Sequence, residues 1–154
     1  MAIYAKFDGV NGSVTTTGYQ QWIALSDFQW GYQAGSRGVA EHSREVTVSN
    51  ITLKMRAEQA SVDLAQKGLS RAVLSKVQIA FTSTGKDSVK PYLTYDLTNA
   101  MVENYSIGAG NEGVPVETFG LSFQKVTFKV TALDSSLTGA PKSVTYDLTQ
   151  AKTS

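Results

Sequence analysis

Along most of the chain the apolar residues fall on every second position, and this spacing points to half-buried strands before any single side chain is considered for its chemistry. Ile3, Ala5 and Phe7 share one face, and Gly9-Val10-Asn11-Gly12 then supplies a turn. The run from Trp22 to Tyr32 carries Trp22, Ile23, Leu25, Phe28 and Trp30. Its apolar parity changes between Leu25 and Phe28, which predicts a bulge or bend. Val46 and Val48 share one parity and Ile51, Leu53 and Met55 the other, so a turn or bulge is expected at Ser49-Asn50. Val77, Ile79 and Phe81 lead to a turn at Gly85-Lys86-Asp87, and the chain returns through Leu93, Tyr95 and Leu97 toward Met101, Tyr105 and Ile107 as a hairpin of unusual length. Phe119, Leu121 and Phe123 switch parity to Val126, Phe128 and Val130 around Gln124-Lys125, where a bulge would let one long strand serve two sheets. Val144 to Leu148 reads as a last strand after a polar turn region, Asp134 to Lys142.

Helical spacing occurs once, near 61–71. Ser61 is a good N-cap, Asp63 lies in the first turn, and Leu64, Ala65, Gly68, Leu69 and Ala72 share one face. About eight strands with one short helix, and no alternation of strand and helix, predict a mainly β fold: a single-domain antiparallel β-barrel of two packed sheets spanning 1–154. A chain of 154 residues is long enough for one such core and short for two. The aromatics Trp22, Phe28, Trp30, Phe81, Phe119, Phe123 and Phe128 follow strand parity and are expected in that core. Gln33 to Arg44 reads as a long loop containing Gly35 and Gly38.

Composition excludes most chemistry. Cys is absent and His42 is the lone histidine, so thiolate catalysis, disulfides and Cys- or His-rich metal sites are excluded and no cofactor is expected. Fourteen Lys and Arg against 13 Asp and Glu leave a charge of +1, too weak a field to gather nucleic acid or acidic lipid, so partners must be recognised by contact. No stretch approaches the roughly 18 apolar residues of a membrane span, and the first residues lack an export-signal pattern, so synthesis in the cytoplasm is expected.

The remaining motifs lack the context their chemistry needs. Gly108-Ala109-Gly110-Asn111-Glu112-Gly113 fits a dinucleotide fingerprint, but Pro115 and a strand follow where a helix is required. His42 and Ser43 are adjacent, a geometry that does not make a triad, and no nucleophile elbow is present. Asp8, Asp27, Glu45, Asp63, Asp96, Glu103 and Glu117 are scattered and read as solvated side chains, with no pair selected for glycosidase work.

The motifs occur in an order that resembles the haemolysin-coregulated protein (Hcp) family, whose members build the inner tube of bacterial type VI secretion systems. The resemblance is carried by Phe7, the Gly9–Gly12 turn, Trp22-Ile23 running to Phe28-Gln29-Trp30-Gly31, Ala60-Ser61-Val62-Asp63-Leu64, Val77 to Phe81, and Tyr92 to Leu97. Its most specific piece is the stretch from Asn111 through Val114-Pro115-Val116-Glu117-Thr118-Phe119 to Phe123, continuing into Lys125-Val126. Val62 stands where relatives often have Pro, and Arg71 stands near a turn Gly of the family.

The resemblance implies a non-enzymatic structural subunit, six copies closing into a ring, and rings stacking into a hollow tube that is exported and carries effectors. Its implied partners are further copies of the chain, a spike protein, a sheath and effectors, with no nucleic acid and no membrane insertion. It implies assembly in the bacterial cytoplasm and secretion through the type VI system without a signal peptide. By the same resemblance Gln29 is associated with the lumen and cargo, and the loop carrying Gln33, Arg37, Glu41 and His42 with contacts between subunits or rings. The abundance of hydroxyls, with Ser and Thr at 16 each, suits a lumen that tolerates varied cargo. A phage-like tail-tube subunit, a small β-barrel hydrolase using His42 and a monomeric ligand-binding barrel are the alternatives.

Overall fold

A computed structural model of the chain describes residues 1–34, 46–84, 88–131, 140–150 and 152–153. Eleven strands and one helix lie among the described residues: β1 (Ala2–Phe7), β2 (Ile23–Gln29), β3 (Tyr32–Ala34), β4 (Val46–Val48), β5 (Ile51–Arg56), α1 (Ala60–Leu69), β6 (Leu74–Thr84), β7 (Val89–Gly108), β8 (Val116–Ser122), β9 (Lys125–Val130), β10 (Lys142–Asp147) and β11 (Lys152–Thr153). The eight expected strands become eleven because β3 separates from β2, β4 separates from β5, and the two-residue β11 adds to β10.

All pairings are antiparallel, in the order β11-β10-β9-β7-β6-β1-β2-β5-β8, and a further β7–β8 pairing closes β7, β6, β1, β2, β5 and β8 into a barrel. Closure depends on the length of β7. One edge pairs with β6 as far as Ala100, opposite Leu74. The other pairs first with β9, over Leu93–Thr98, and then with β8, over Met101–Gly108. The strand changes partner at Asn99, which adopts φ 52°, a left-handed conformation that Asn tolerates better than most residues. Its Nδ2 donates to Gln124 Oε1 at 2.8 Å, and Gln124 N donates to Thr98 O at 3.1 Å. The expected bulge around Gln124-Lys125 is therefore the gap between β8 and β9, and the two flanking strands share β7 as partner. A register shift between Leu25 and Asp27 in β2 matches the expected parity change.

Period two places Ala5, Phe7, Ile23, Leu25, Leu53, Ile79, Leu97, Phe119 and Leu121 in one core. Phe28, Phe81, Tyr95 and Phe128 extend it as an aromatic group, with ring centroids 4.8 Å apart for Phe28–Tyr95 and 5.7 Å apart for Tyr95–Phe128. Trp22 departs from expectation. Its neighbour Ile23 takes the inward position, so Trp22 stands half-buried on the opposite face, edge-on to Tyr19 at 5.0 Å.

The helix begins one residue before Ser61, so Ser61 is not its cap; Gln59 holds the cap position without a side-chain bond. Ala60 and Leu64 are buried, and Gly68 lets the helix approach Val102 on β7, where an added Cβ would stand 3.1 Å from Cγ1. Leu69, expected on the packed face, is exposed. The helix ends just past Gly68: Arg71 N donates to Gly68 O and Ala72 N to Lys67 O, a Schellman closure in which Arg71 takes φ 58°. This left-handed turn is where the family's Gly was expected.

Two glycines separate a rigid close approach from a soft one. A Cβ on Gly12 would collide with the backbone carbonyl of Trp22, whereas one on Gly120 would meet the far end of the Asn104 side chain. Gly12→Ala should lower stability by about 2 kcal/mol, roughly 5 °C in Tm, and Gly120→Ala should change it by less than about 1 kcal/mol as Asn104 rotates away. Thermal unfolding of the two variants checks the contrast.

Candidate assembly surface

Among the described residues several strand segments have a partner on one side only, and two of them flank the same part of the barrel. β2 pairs with β1 only over Ile23–Leu25, so past the bulge, over Asp27–Gln29, it pairs with β5 alone. β7 loses β6 after Ala100, and over Met101–Gly108 it pairs with β8 alone. These two segments border one four-stranded wall, β2-β5-β8-β7. Open edges present rows of N–H and C=O groups, which are templates for another chain. Tyr105, Ile107 and Val116 lie exposed along the β7 border, where a solvated edge would carry charge instead.

The outward side chains of this wall form two polar rows. Gln29, Thr52, Gly120 and Asn104 are successive cross-strand partners, as are Asp27, Lys54, Thr118 and Ser106. Gln29 is exposed and lines a shallow concavity with Ser49, Asn50 and Thr52. Asp27 and Lys54 are opposite each other, so the wall carries both signs of charge. Gln33 is exposed on β3 opposite Thr47, in a separate two-stranded sheet with β4. The expected loop thus begins as a paired hairpin, whose base Ser49 clasps by donating from Oγ to Gly31 O at 2.7 Å. Beneath it Trp30, Tyr32, Val48, Phe128 and Tyr146 line an apolar cavity of about 240 Å³. Arg37, Glu41, His42 and Ser43 lie outside the described residues, so the structure does not place them beside Gln33 or Gln29.

The carboxylates have structural partners in several places. Ser75 Oγ donates to Asp8 at 2.7 Å. Ser122, and then Arg71 at 3.3 Å, hold the Glu103 carboxyl below its ordinary range. Glu117 corrects the expectation of a solvated side chain: it is 2% exposed. Its parity with Phe119 and Leu121 was the available signal, because all three share the inward face of β8. Ser61 donates to Glu117 Oε1, and Tyr105 OH donates to Oε2 at 2.6 Å. Ser61 Oγ also accepts the Glu58 N–H at 2.9 Å. The carboxylate therefore lies at the N-terminal end of α1, where the helix dipole favours negative charge, and ties α1, β7 and β8 together.

Among the described residues no group of three or more His, Cys, Asp and Glu could hold a metal. Gly108 ends β7, and Val116 begins β8 after a turn; no helix follows the glycines to cradle a phosphate. No described helix is long and apolar enough to cross a membrane.

The sequence matches the family model described as type VI secretion system effector, Hcp, over residues 4–130. Among curated proteins none matches significantly. Solved structures share the fold. A type six secretion system protein superposes with a TM-score of 0.90 at 20% identity, covering 99% of both chains. Hcp1 from Salmonella typhimurium gives 0.80 at 20% identity, covering 99% of this chain and 98% of that one. A type VI secretion system effector from Yersinia pestis gives 0.79 at 20% identity, covering 94% and 98%.

The Glu117 latch has a pH signature. Its hydrogen bond, with burial and the nearby negative charge, pushes the Tyr105 hydroxyl above its ordinary pKa, and burial pushes Tyr95 and Tyr19 up as well. A raised phenol keeps its proton in the fold at a pH where the unfolded chain has released it. Stability from these groups is therefore complete below about pH 10 and is lost as pH rises through the folded values. Urea unfolding at pH 8 and near pH 11 should show this loss, and Tyr105→Phe should reduce its slope.

Proposed function

Because the chain belongs to the Hcp family of type VI secretion proteins, we propose that it is the subunit of the secretion tube, closing as a ring of six whose stacking makes a hollow conduit. The observation that carries this reading is the pair of open edges on one wall. Strand directions alternate across β2-β5-β8-β7, so β7 runs opposite to β2. When the β7 edge of one copy meets the β2 edge of the next, the sheet continues antiparallel, and repetition of this head-to-tail contact closes a ring. The edge groups are then satisfied by copies of the same chain, and Tyr105, Ile107 and Val116 gain cover.

In such a ring the polar rows of the wall line the lumen. Gln29, Thr52, Thr118, Ser106 and Asn104 offer small donors and acceptors, and Asp27 and Lys54 offset one another. A surface of this kind holds cargo by many weak contacts and favours no single charge. The role is structural, with export by the system that the tube serves and with effectors, spike and sheath as partners. Contact between neighbouring subunits or successive rings falls to the loop that carries Gln33, Arg37, Glu41 and His42, of which Gln33 lies on β3.

The absence of Cys makes the ring contact testable by cross-linking. With Gln29→Cys combined in turn with Asn104→Cys, Ser106→Cys and Gly108→Cys, oxidation should give a ladder of linked chains in at least one pair, and electron microscopy should show rings. A uniform monomer with no linked species would overturn the reading. Gln29→Arg should reduce effector carriage in a co-secretion assay while rings still form. Shortening the 33–42 loop should leave the barrel's Tm unchanged and shorten or abolish tubes in electron micrographs.

A further inference from the structure

Away from the open edges of the four-stranded wall, the outward face of β1-β6-β7-β9 holds a hollow. Its cause is one small residue. Ala80 of β6 has Tyr4 as its partner on β1 and Thr94 as its partner on β7, and it is only 4% exposed because larger neighbours stand over it. On one side rises Trp22, edge-on to Tyr19 at 5.0 Å, which is itself stacked on Tyr4 at 5.0 Å. Across the hollow stands Tyr92. Gln78, Thr94, Asp96 and Lys129 complete the lining, and the space is about 230 Å³.

The polar members are uncommitted. Among the described residues no side-chain hydrogen bond engages Gln78, Thr94, Asp96 or Lys129, and no ion pair joins Asp96 to Lys129. Thr127, the cross-strand partner of Asp96, is already engaged with Thr145 at 2.8 Å, so the free groups are confined to the hollow. Two aromatic side chains with an acceptor, a donor and two groups that do both are the complement of a neutral ring that has C–H faces and a rim of hydroxyls. The opposite charges of Asp96 and Lys129 leave no net field to select an ion. The volume lies below the roughly 300–1,000 Å³ of drug-sized pockets, which suits a single ring.

We propose that this hollow binds one pyranose unit of a glycan. The sugar stacks a C–H face on Trp22, Asp96 accepts from its hydroxyls, and Lys129 and Gln78 donate to them. The site is on a different face from the polar rows of the wall, so it stands or falls independently of the ring.

Saturation-transfer difference NMR of the assembled protein with methyl glycosides of glucose, galactose, mannose and N-acetylglucosamine tests it. At least one glycoside should receive transfer at its ring C–H protons. Trp22→Ala should weaken that binding roughly tenfold, the scale of losing one stacking aromatic face. Asp96→Ala, which leaves the core untouched, should weaken it as well, and Asn104→Ala on the other wall should not. No transfer from any glycoside at millimolar concentration, equal transfer in the Asp96→Ala protein, or binding of charged ligands alone would overturn the proposal. Sugar transfer retained by a protein that forms no rings would overturn the ring and leave this site standing.

Discussion

The structure depends on one strand having two different neighbours along a single edge. β7 is 20 residues long, and its change of partner at Asn99 lets the first half extend a sheet toward β9 and β10 while the second half closes the barrel on β8. The two partners take consecutive stretches of the same edge, Leu93–Thr98 for β9 and Met101–Gly108 for β8. The left-handed Asn and its bond to Gln124 align the break in β7 with the break between β8 and β9.

The same geometry leaves the edges open. Closing the barrel with the second half of β7 carries that segment beyond the end of β6, and the bulge after Leu25 carries the end of β2 beyond the start of β1. The unpaired groups lie at opposite borders of one wall, which is the arrangement a head-to-tail contact needs. Glu117 gives this border rigidity: a buried carboxylate shared by Ser61 and Tyr105 couples the edge strand to the helix. Two hydroxyl donors hold its oxygens at the start of the helix, and no ion pair engages it among the described residues.

Much of the fold was legible because period two is a local consequence of strand geometry. The parity changes at Leu25–Phe28 and around Gln124 marked the bulge and the strand break at the right places. The errors also have physical causes. Trp22 and Ile23 are adjacent, and only one could face inward; packing chose the branched side chain and left the indole outside. Ser61 has the composition of a cap, yet its hydroxyl is engaged by Glu117, a residue 56 positions away. Glu117 is buried although carboxylates are mostly exposed, and its spacing from Phe119 and Leu121 is the local sign of its inward position.

The sequence by itself determined that this chain is a β-barrel with one short helix and no thiol or histidine cluster, since side-chain alternation and residue inventory need no partners in space. The motif order also sufficed to suggest the family. Only the tertiary structure decided which strand edges stay open, which polar side chains line one wall, and that Trp22, Tyr92, Asp96 and Lys129 surround one hollow. Those facts depend on register and strand order, which arise from pairings between distant segments and leave no trace in the spacing of any one of them.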